Sequence, residues 1–287
     1  MDILYQIRAR QESFSAGEGR IARLVLGDVA FAASASLDDL AARAEVSSAT
    51  LSRFARTVGC KDLRDLRLQL AQASAVGNRF LTAEQAPEQS AFFSQIVGDI
   101  ESTLRQHLAG FDESRFQAAV ALLAPARMIH SFGMGGASSL CSEELQTRLV
   151  RLGYPIAASR DPVMMRLIAA TLGPEHSVIV CSLSGRPPEL LDAVDLARSY
   201  GAKILAITLP GSPLAERADV LLPLQIAETH FIYKPTAARY GMLLTIDVLA
   251  TELALTAPDA NRERLRRIKL ALDDYRGGGD DGLPLGD

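Results

Sequence analysis

Apolar residues in the first 76 positions recur every three or four places. Ile3, Leu4 and Ile7 make one stripe, and Ile21, Leu24 and Val25 make another. That spacing lines one face of a short helix, and no strand-like alternation interrupts it. Residues 1–76 are therefore expected to form an all-α domain. The segment 77–90, GNRFLTAEQAPEQS, is polar and contains Gly and Pro, which marks a linker. A helical stretch follows over roughly 91–123 and ends near Pro125.

The period then changes. Short apolar runs bounded by turn residues begin to alternate with helical patterns: RMIHSF (127–132), HSVIVCS (176–182), AKILAIT (202–208) and DVLLPL (219–224). Such runs suit strands buried on both faces of a parallel sheet. Between them lie 137–153, 161–173 and 187–201, helical by spacing and each ending in glycine. With HSVIVCS as the third strand, the alternation predicts a doubly wound α/β sheet of flavodoxin-like order. Helices over about 236–256 and 260–275 close a ligand-binding domain of residues 91–275, and the Gly- and Asp-rich tail, 276–287, reads as disordered.

The totals refine this picture without changing it. Hydrophobic residues make up 48% and charged residues 22% of the 287, enough to fill a core and remain soluble. Thirty basic against 34 acidic residues leave a net charge of −4, which excludes a protein coated in positive charge and moves the search to local patches. Cys60, Cys141 and Cys181 are far apart with no CxxC spacing. They read as buried reduced thiols, neither a disulfide framework nor a zinc site. The N-terminus lacks an apolar signal core and no long uncharged apolar stretch occurs, so a cytoplasmic protein without membrane contact is expected.

Residues 36–58 carry the first candidate chemistry. Ser36 sits where it can cap a helix, with Asp39 in the capping-box position, and Leu37, Leu40 and Ala41 face inward. A turn at Ala44–Val46 leads to a second helix capped by Ser47, on which Leu51, Phe54 and Val58 form the buried stripe. This is a helix-turn-helix arrangement, whose second helix enters the major groove of double-stranded DNA. Ser47, Ser48, Ala49, Thr50 and Ser52 are small enough to approach bases, and Arg53, Arg56 and Lys61 can neutralise phosphates. Residues 47–70 carry five cations against two carboxylates, a net +3. A plain three-helix bundle with a solvated basic face is the competing reading of the spacing alone. The run from Ser15 to Leu70, and above all Val46-Ser47-Ser48-Ala49-Thr50-Leu51-Ser52-Arg53-Phe54, resembles the N-terminal domain of the RpiR/MurR family of transcription regulators.

The second constellation follows the first strand. Gly133-Met134-Gly135-Gly136 and then Ser138 and Ser139 open a helix, where backbone amides and the helix dipole favour an anion. A dinucleotide fingerprint is discounted, because the third glycine is misplaced and no acidic residue follows the second strand. No cofactor is expected. The third strand ends in Ser182-Leu183-Ser184-Gly185-Arg186-Pro187-Pro188, a second polar loop beside the first. The pair defines a phosphate-sized crevice at the carboxyl ends of neighbouring strands, unless both are only tight turns.

Gly133, Gly135, Ser138, Ser182, Ser184 and Gly185 resemble the signature of the sugar isomerase (SIS) domain, a likeness extending over about residues 110–255. The resemblance implies a phosphorylated sugar with Ser138, Ser182 and Ser184 around the phosphate. Pro187 stands where the family carries threonine, and Arg186 is the natural electrostatic replacement. A carboxylated or otherwise anionic metabolite therefore stays open. Glu228 and Arg239 flank the same region as candidate ligand contacts. The alternative reading is an aldose-ketose isomerase, with Glu189, Glu228, His130 and His230 as acid-base candidates. Each has a plainer role, Glu189 favouring a helix N-terminus and His130 lying in an apolar strand. The combined expectation is a regulator, not an enzyme, acting as a homodimer or homotetramer on a palindromic operator.

Overall fold

The computed structural model describes residues 2–75, 89–227 and 235–276. Glu228, His230, residues 77–88 of the expected linker and the tail beyond Arg276 lie outside the described residues. The chain divides into two compact units, each taken by itself.

The first unit holds six described α-helices: α1 Ile3–Ala9, α2 Ala16–Gly27, α3 Val29–Ser34, α4 Leu37–Arg43, α5 Ser48–Thr57 and α6 Leu63–Ser74. Every one starts on an aspartate or serine (Asp2, Ser15, Asp28, Ser36, Ser47 and Asp62) whose side chain accepts a first-turn amide. Each cap satisfies a donor that the helix itself leaves open, worth about 1 kcal/mol. The stripes at Ile3, Leu4 and Ile7 and at Ile21 and Val25 meet Leu51, Phe54, Leu66 and Leu70 in one core. Leu24 is only half-buried at its edge.

In the second unit, α7 (Gln89–Ala109) and α8 (Glu113–Leu123) replace the single stretch expected over 91–123, and α7 begins two residues inside the expected linker. The break falls at a closely packed glycine followed by a new cap. A Cβ at Gly110 would lie 2.7 Å from Gln225 Nε2, and Asp112 restarts the helix by accepting the Ser114 amide. Five strands follow: β1 Met128–Gly133, β2 Ile156–Ser159, β3 His176–Ser182, β4 Lys203–Thr208 and β5 Val220–Pro223. They form one parallel sheet in the order β2-β1-β3-β4-β5. Strand β2, absent from the four apolar runs, is short, lies at the edge and is only half-buried over its first three residues.

Neighbouring side chains in the central strands go to opposite faces. Ile179, Cys181, Leu205 and Ile207 pack under α8 (Glu113–Leu123), α9 (Gly136–Arg151) and α12 (Ala238–Leu255). Val178, Val180, Ile204 and Ala206 pack under α10 (Pro162–Ala169) and α11 (Pro188–Ser199). Each fully buried aliphatic side chain contributes roughly 1.5–3 kcal/mol, so a continuous apolar strand is stable only with helices on both faces. Helix α13 (Pro258–Tyr275) follows α12. Among the described residues no single helix is long and apolar enough to cross a membrane.

Candidate functional site

The turn between α4 and α5 is closed by backbone bonds. Val46 N–H donates to Ala41 O at 2.9 Å and Glu45 N–H to Ala42 O at 3.1 Å, a Schellman closure that needs a left-handed residue. Here Glu45 takes that role, at φ 53°. Arg20 of α2 steadies the turn from outside, its guanidinium donating to Ala44 O at 3.1 Å and Glu45 O at 2.9 Å. Nothing in the helix-turn-helix spacing pointed to Arg20.

Helix α5 then presents its two faces as expected. Leu51, Phe54, Ala55 and Val58 are buried, while Ser47, Ser48, Ala49, Arg53, Arg56 and Lys61 are exposed and Thr50 and Ser52 half-buried. Ser47 accepts the Thr50 amide, and Arg53 donates to Thr50 Oγ1 at 3.3 Å, which holds the guanidinium along the helix. Glu18 anchors the far end, accepting from Thr57 Oγ1 at 2.7 Å. That bond first, then those from Ser15, holds its carboxyl below the usual range. Arg10 donates to the Thr57 carbonyl from α1's C-cap.

In the α/β unit, the two candidate loops leave adjacent strands at the same level, since Gly133 pairs with Cys181, the residue before Ser182. The sheet order reverses between β1 and β3, where open α/β sheets take their ligands. At Gly133 a Cβ would overlap the Ser138 carbonyl oxygen and lie 2.8 Å from its carbon and 2.9 Å from Ser142 Cβ. The first turn of α9 thus rests directly on the strand end. Ser142 donates to Ser131 O at 2.8 Å and Ser139 to Gly133 O at 3.2 Å, fixing that seat. Gly135 is the N-cap, at φ 82° and ψ −171°, and supplies no side-chain cap. A 16-residue helix therefore begins with first-turn amides that no side chain caps, as an anion requires. Ser138 is buried and Ser139 half-buried beside them.

The second loop folds on itself. Gly185 N–H donates to Ser182 Oγ at 3.0 Å and Arg186 N–H to Ser184 Oγ at 3.4 Å. Both hydroxyls keep their own protons to donate. Ser182 is buried, whereas Ser184 and Arg186 are exposed. Gly185 is left-handed at φ 65°, and a Cβ there would lie 2.6 Å from Thr208 Oγ1 and 2.7 Å from Ser212 Cβ. Thr208 ends β4 opposite Ser182; its hydroxyl is buried without a hydrogen-bond partner. Thr208 and Ser212 were not singled out in the sequence. Pro187 and Pro188 open α11, so its first turn has fewer amides to offer than that of α9.

The acid-base candidates are scattered. Glu189 is exposed in the first turn of α11. His130 is half-buried in β1; burial, and then His176, lower its pKa. Arg239 turns onto Tyr240, donating to its hydroxyl at 3.1 Å. The three cysteines are buried free thiols; burial pushes Cys60 up to about 11 and Cys141 to about 12. Among the described residues no three His, Cys, Asp or Glu side chains gather to hold a metal ion.

These two units define a helix-turn-helix regulator fused to a sugar isomerase domain. Residues 1–77 match the family model described as "Helix-turn-helix domain, rpiR family", and residues 122–252 match the SIS domain. The chain belongs to the RpiR family of transcription regulators. It is 33% identical over 273 residues to the HTH-type transcriptional regulator HexR of Pseudomonas aeruginosa, covering 94% of this chain and 95% of that protein. The HexR of Escherichia coli is 30% identical over 278 residues, 96% of each chain. The Vibrio vulnificus NanR protein, solved in complex with ManNAc-6P, shares the fold with a TM-score of 0.59 and 22% identity, over 93% of this chain and 97% of that one.

Proposed function

We propose that this chain regulates transcription by binding double-stranded DNA with an affinity set by a phosphorylated sugar, or a related anionic metabolite, in its α/β unit. One observation carries the reading. A single chain joins an α5 helix rich in small polar residues and arginine to a sheet whose adjacent strands end in two loops that only glycine fits.

The ligand's anionic group lies at the first turn of α9, where amides and helix dipole favour negative charge. Ser138, Ser182 and Ser184 donate to its oxygens, Ser139 holds the loop beneath it through Gly133 O, and Arg186 supplies the charge that compensates for Pro187. The sugar phosphate held by the NanR relative supports the ligand class. On the DNA side, Ser47, Ser48, Ala49, Thr50 and Ser52 approach base edges, while Arg53, Arg56 and Lys61 neutralise phosphates. A homodimer or homotetramer built through the α/β units presents paired α5 helices to a palindrome in the cytoplasm. The chain senses its ligand and does not convert it. His130 is a half-buried strand residue whose pKa burial lowers, and Glu189 faces solvent at a helix start. The full-length HexR relatives, both regulators, support that reading.

The test is selection of sheared genomic DNA by the purified protein at moderate salt. Enrichment of a few palindromic sites is expected, with Arg53→Ala abolishing it and Ser184→Ala leaving it intact but blind to the effector, whose pathway the neighbouring genes identify. Uniform recovery that vanishes with salt would reveal only phosphate attraction and defeat the proposal.

A further inference from the structure

His107 lies in the last turn of α7 and is 2% exposed. Its Nδ1 is 2.8 Å from the Thr103 carbonyl oxygen, and its Nε2 is 3.1 Å from the Gln225 backbone nitrogen. A carbonyl has no proton and an amide N–H cannot accept, so Nδ1 donates and Nε2 accepts. The ring is therefore one neutral tautomer with both nitrogens engaged. On its third side it presses against α12 at Gly241, where a Cβ would lie 2.6 Å from Nδ1 and overlap the rest of the ring edge. One imidazole thus joins α7, α12 and the chain leaving β5.

That chain leads back to the phosphate-binding loop. Leu224 N–H donates to Thr208 O at 2.9 Å, one residue before the Gln225 amide that His107 accepts. The Thr208 hydroxyl is the buried, unpartnered group directly beneath Gly185. Contacts therefore run without a gap from Gly185 through Thr208, Leu224 and Gln225 to His107. Helix α7 begins at Gln89, so along the chain it is the first described element after the DNA-binding unit.

We propose that His107 is the positioning residue that couples the loop at Ser182–Arg186 to helix α7. The inference rests on reading that loop as the effector site. A shift of Gly185 moves Thr208, the Thr208–Leu224 bond carries the shift to Gln225, and the Gln225–His107 bond delivers it to α7. Gly241 leaves the ring in close contact with α12, so the ring cannot yield sideways and the displacement passes along α7. A ligand that prefers one position of the loop thereby biases α7, as coupling between two sites requires.

Hydrogen exchange of the full chain tests this without any ligand, using Gly185→Ala to displace the loop. Gly185→Ala is expected to quicken exchange at 182–186, at 224–227 and in α7 over 104–109. In a His107→Phe background the change at 182–186 persists, that in α7 disappears, and the Gln225 amide exchanges about tenfold faster for the lost bond. His107→Gln, whose side-chain amide can both donate and accept, restores the response of α7. Gln225→Pro removes the donor while leaving the imidazole in place, and is expected to silence α7 in the same way. A response of α7 that survives in both the His107→Phe and Gln225→Pro backgrounds overturns the proposal, as does no response of α7 in the native background. Inorganic phosphate forms a separate arm: failure to protect 182–186 speaks against the effector site and leaves the coupling result standing.

Discussion

Replacing Gly133 with alanine and replacing Gly135 with alanine are both expected to destabilise the α/β unit, for different reasons. At 133 the new methyl meets Ser138 backbone, its Cβ 2.8 Å from the carbonyl carbon where 3.4 Å is the ordinary lower limit. The obstacle is the first turn of α9, itself tied to β1 through Ser142 and Ser139. Overpacking costs about 1–3 kcal/mol, and a backbone neighbour places this case near 3. At 135 nothing lies within 4 Å of the added Cβ. The cost there is conformational, because φ 82° and ψ −171° fall in a region open essentially to glycine alone, about 1–3 kcal/mol. At about 2–4 °C per kcal/mol, Gly133→Ala is expected to lower Tm by roughly 6–12 °C. Urea unfolding at 25 °C of an alanine, serine and valine series separates the causes. The penalty at 133 should grow with side-chain size, whereas at 135 serine should cost no more than alanine, because nothing obstructs it and its hydroxyl stands at the N-cap of α9. A neutral Gly133→Ala, or a size series at 135 as steep as at 133, would refute the placement of α9 on the strand end.

Glu45→Gly is expected to stabilise the helical unit by about 1 kcal/mol, relieving a left-handed non-glycine residue whose side chain is exposed. Thermal melts check this, and an unchanged or lower Tm would mean that φ 53° is not strained here. Thr57→Val removes the first cause of Glu18's lowered pKa. A carboxylate whose folded pKa is depressed adds stability that is present above its ordinary value of 4.5 and lost as pH falls through the folded value. The variant should raise the Glu18 midpoint in carboxyl NMR titrations and weaken the acid-dependent loss of stability below pH 4.5; an unmoved midpoint would show that Thr57 is not the cause.

The DNA-binding helix was legible because its signals are local. Ser47 caps within three residues, and Leu51, Phe54 and Val58 mark the buried stripe at helical spacing. The two glycine loops were legible for the same reason, as each follows directly from an apolar run. Strand β2 escaped because four residues at a sheet edge, three of them half-buried, carry little periodic signal. The break at Gly110 did leave a local signal, a glycine two residues before the capping Asp112, which the apolar spacing across it masked.

From sequence alone follow the class of each unit, the strand-helix alternation and the residue types around the crevice, since caps, periodicity and turn glycines act over a few residues. Only the tertiary structure decided that Thr208 and Ser212 lie beneath Gly185, that Arg20 steadies the turn before α5, and that His107 grips Gln225. Each of those depends on strand order and helix packing bringing together residues far apart in sequence. A lone hydroxyl, arginine or histidine carries no period that could announce such a neighbour.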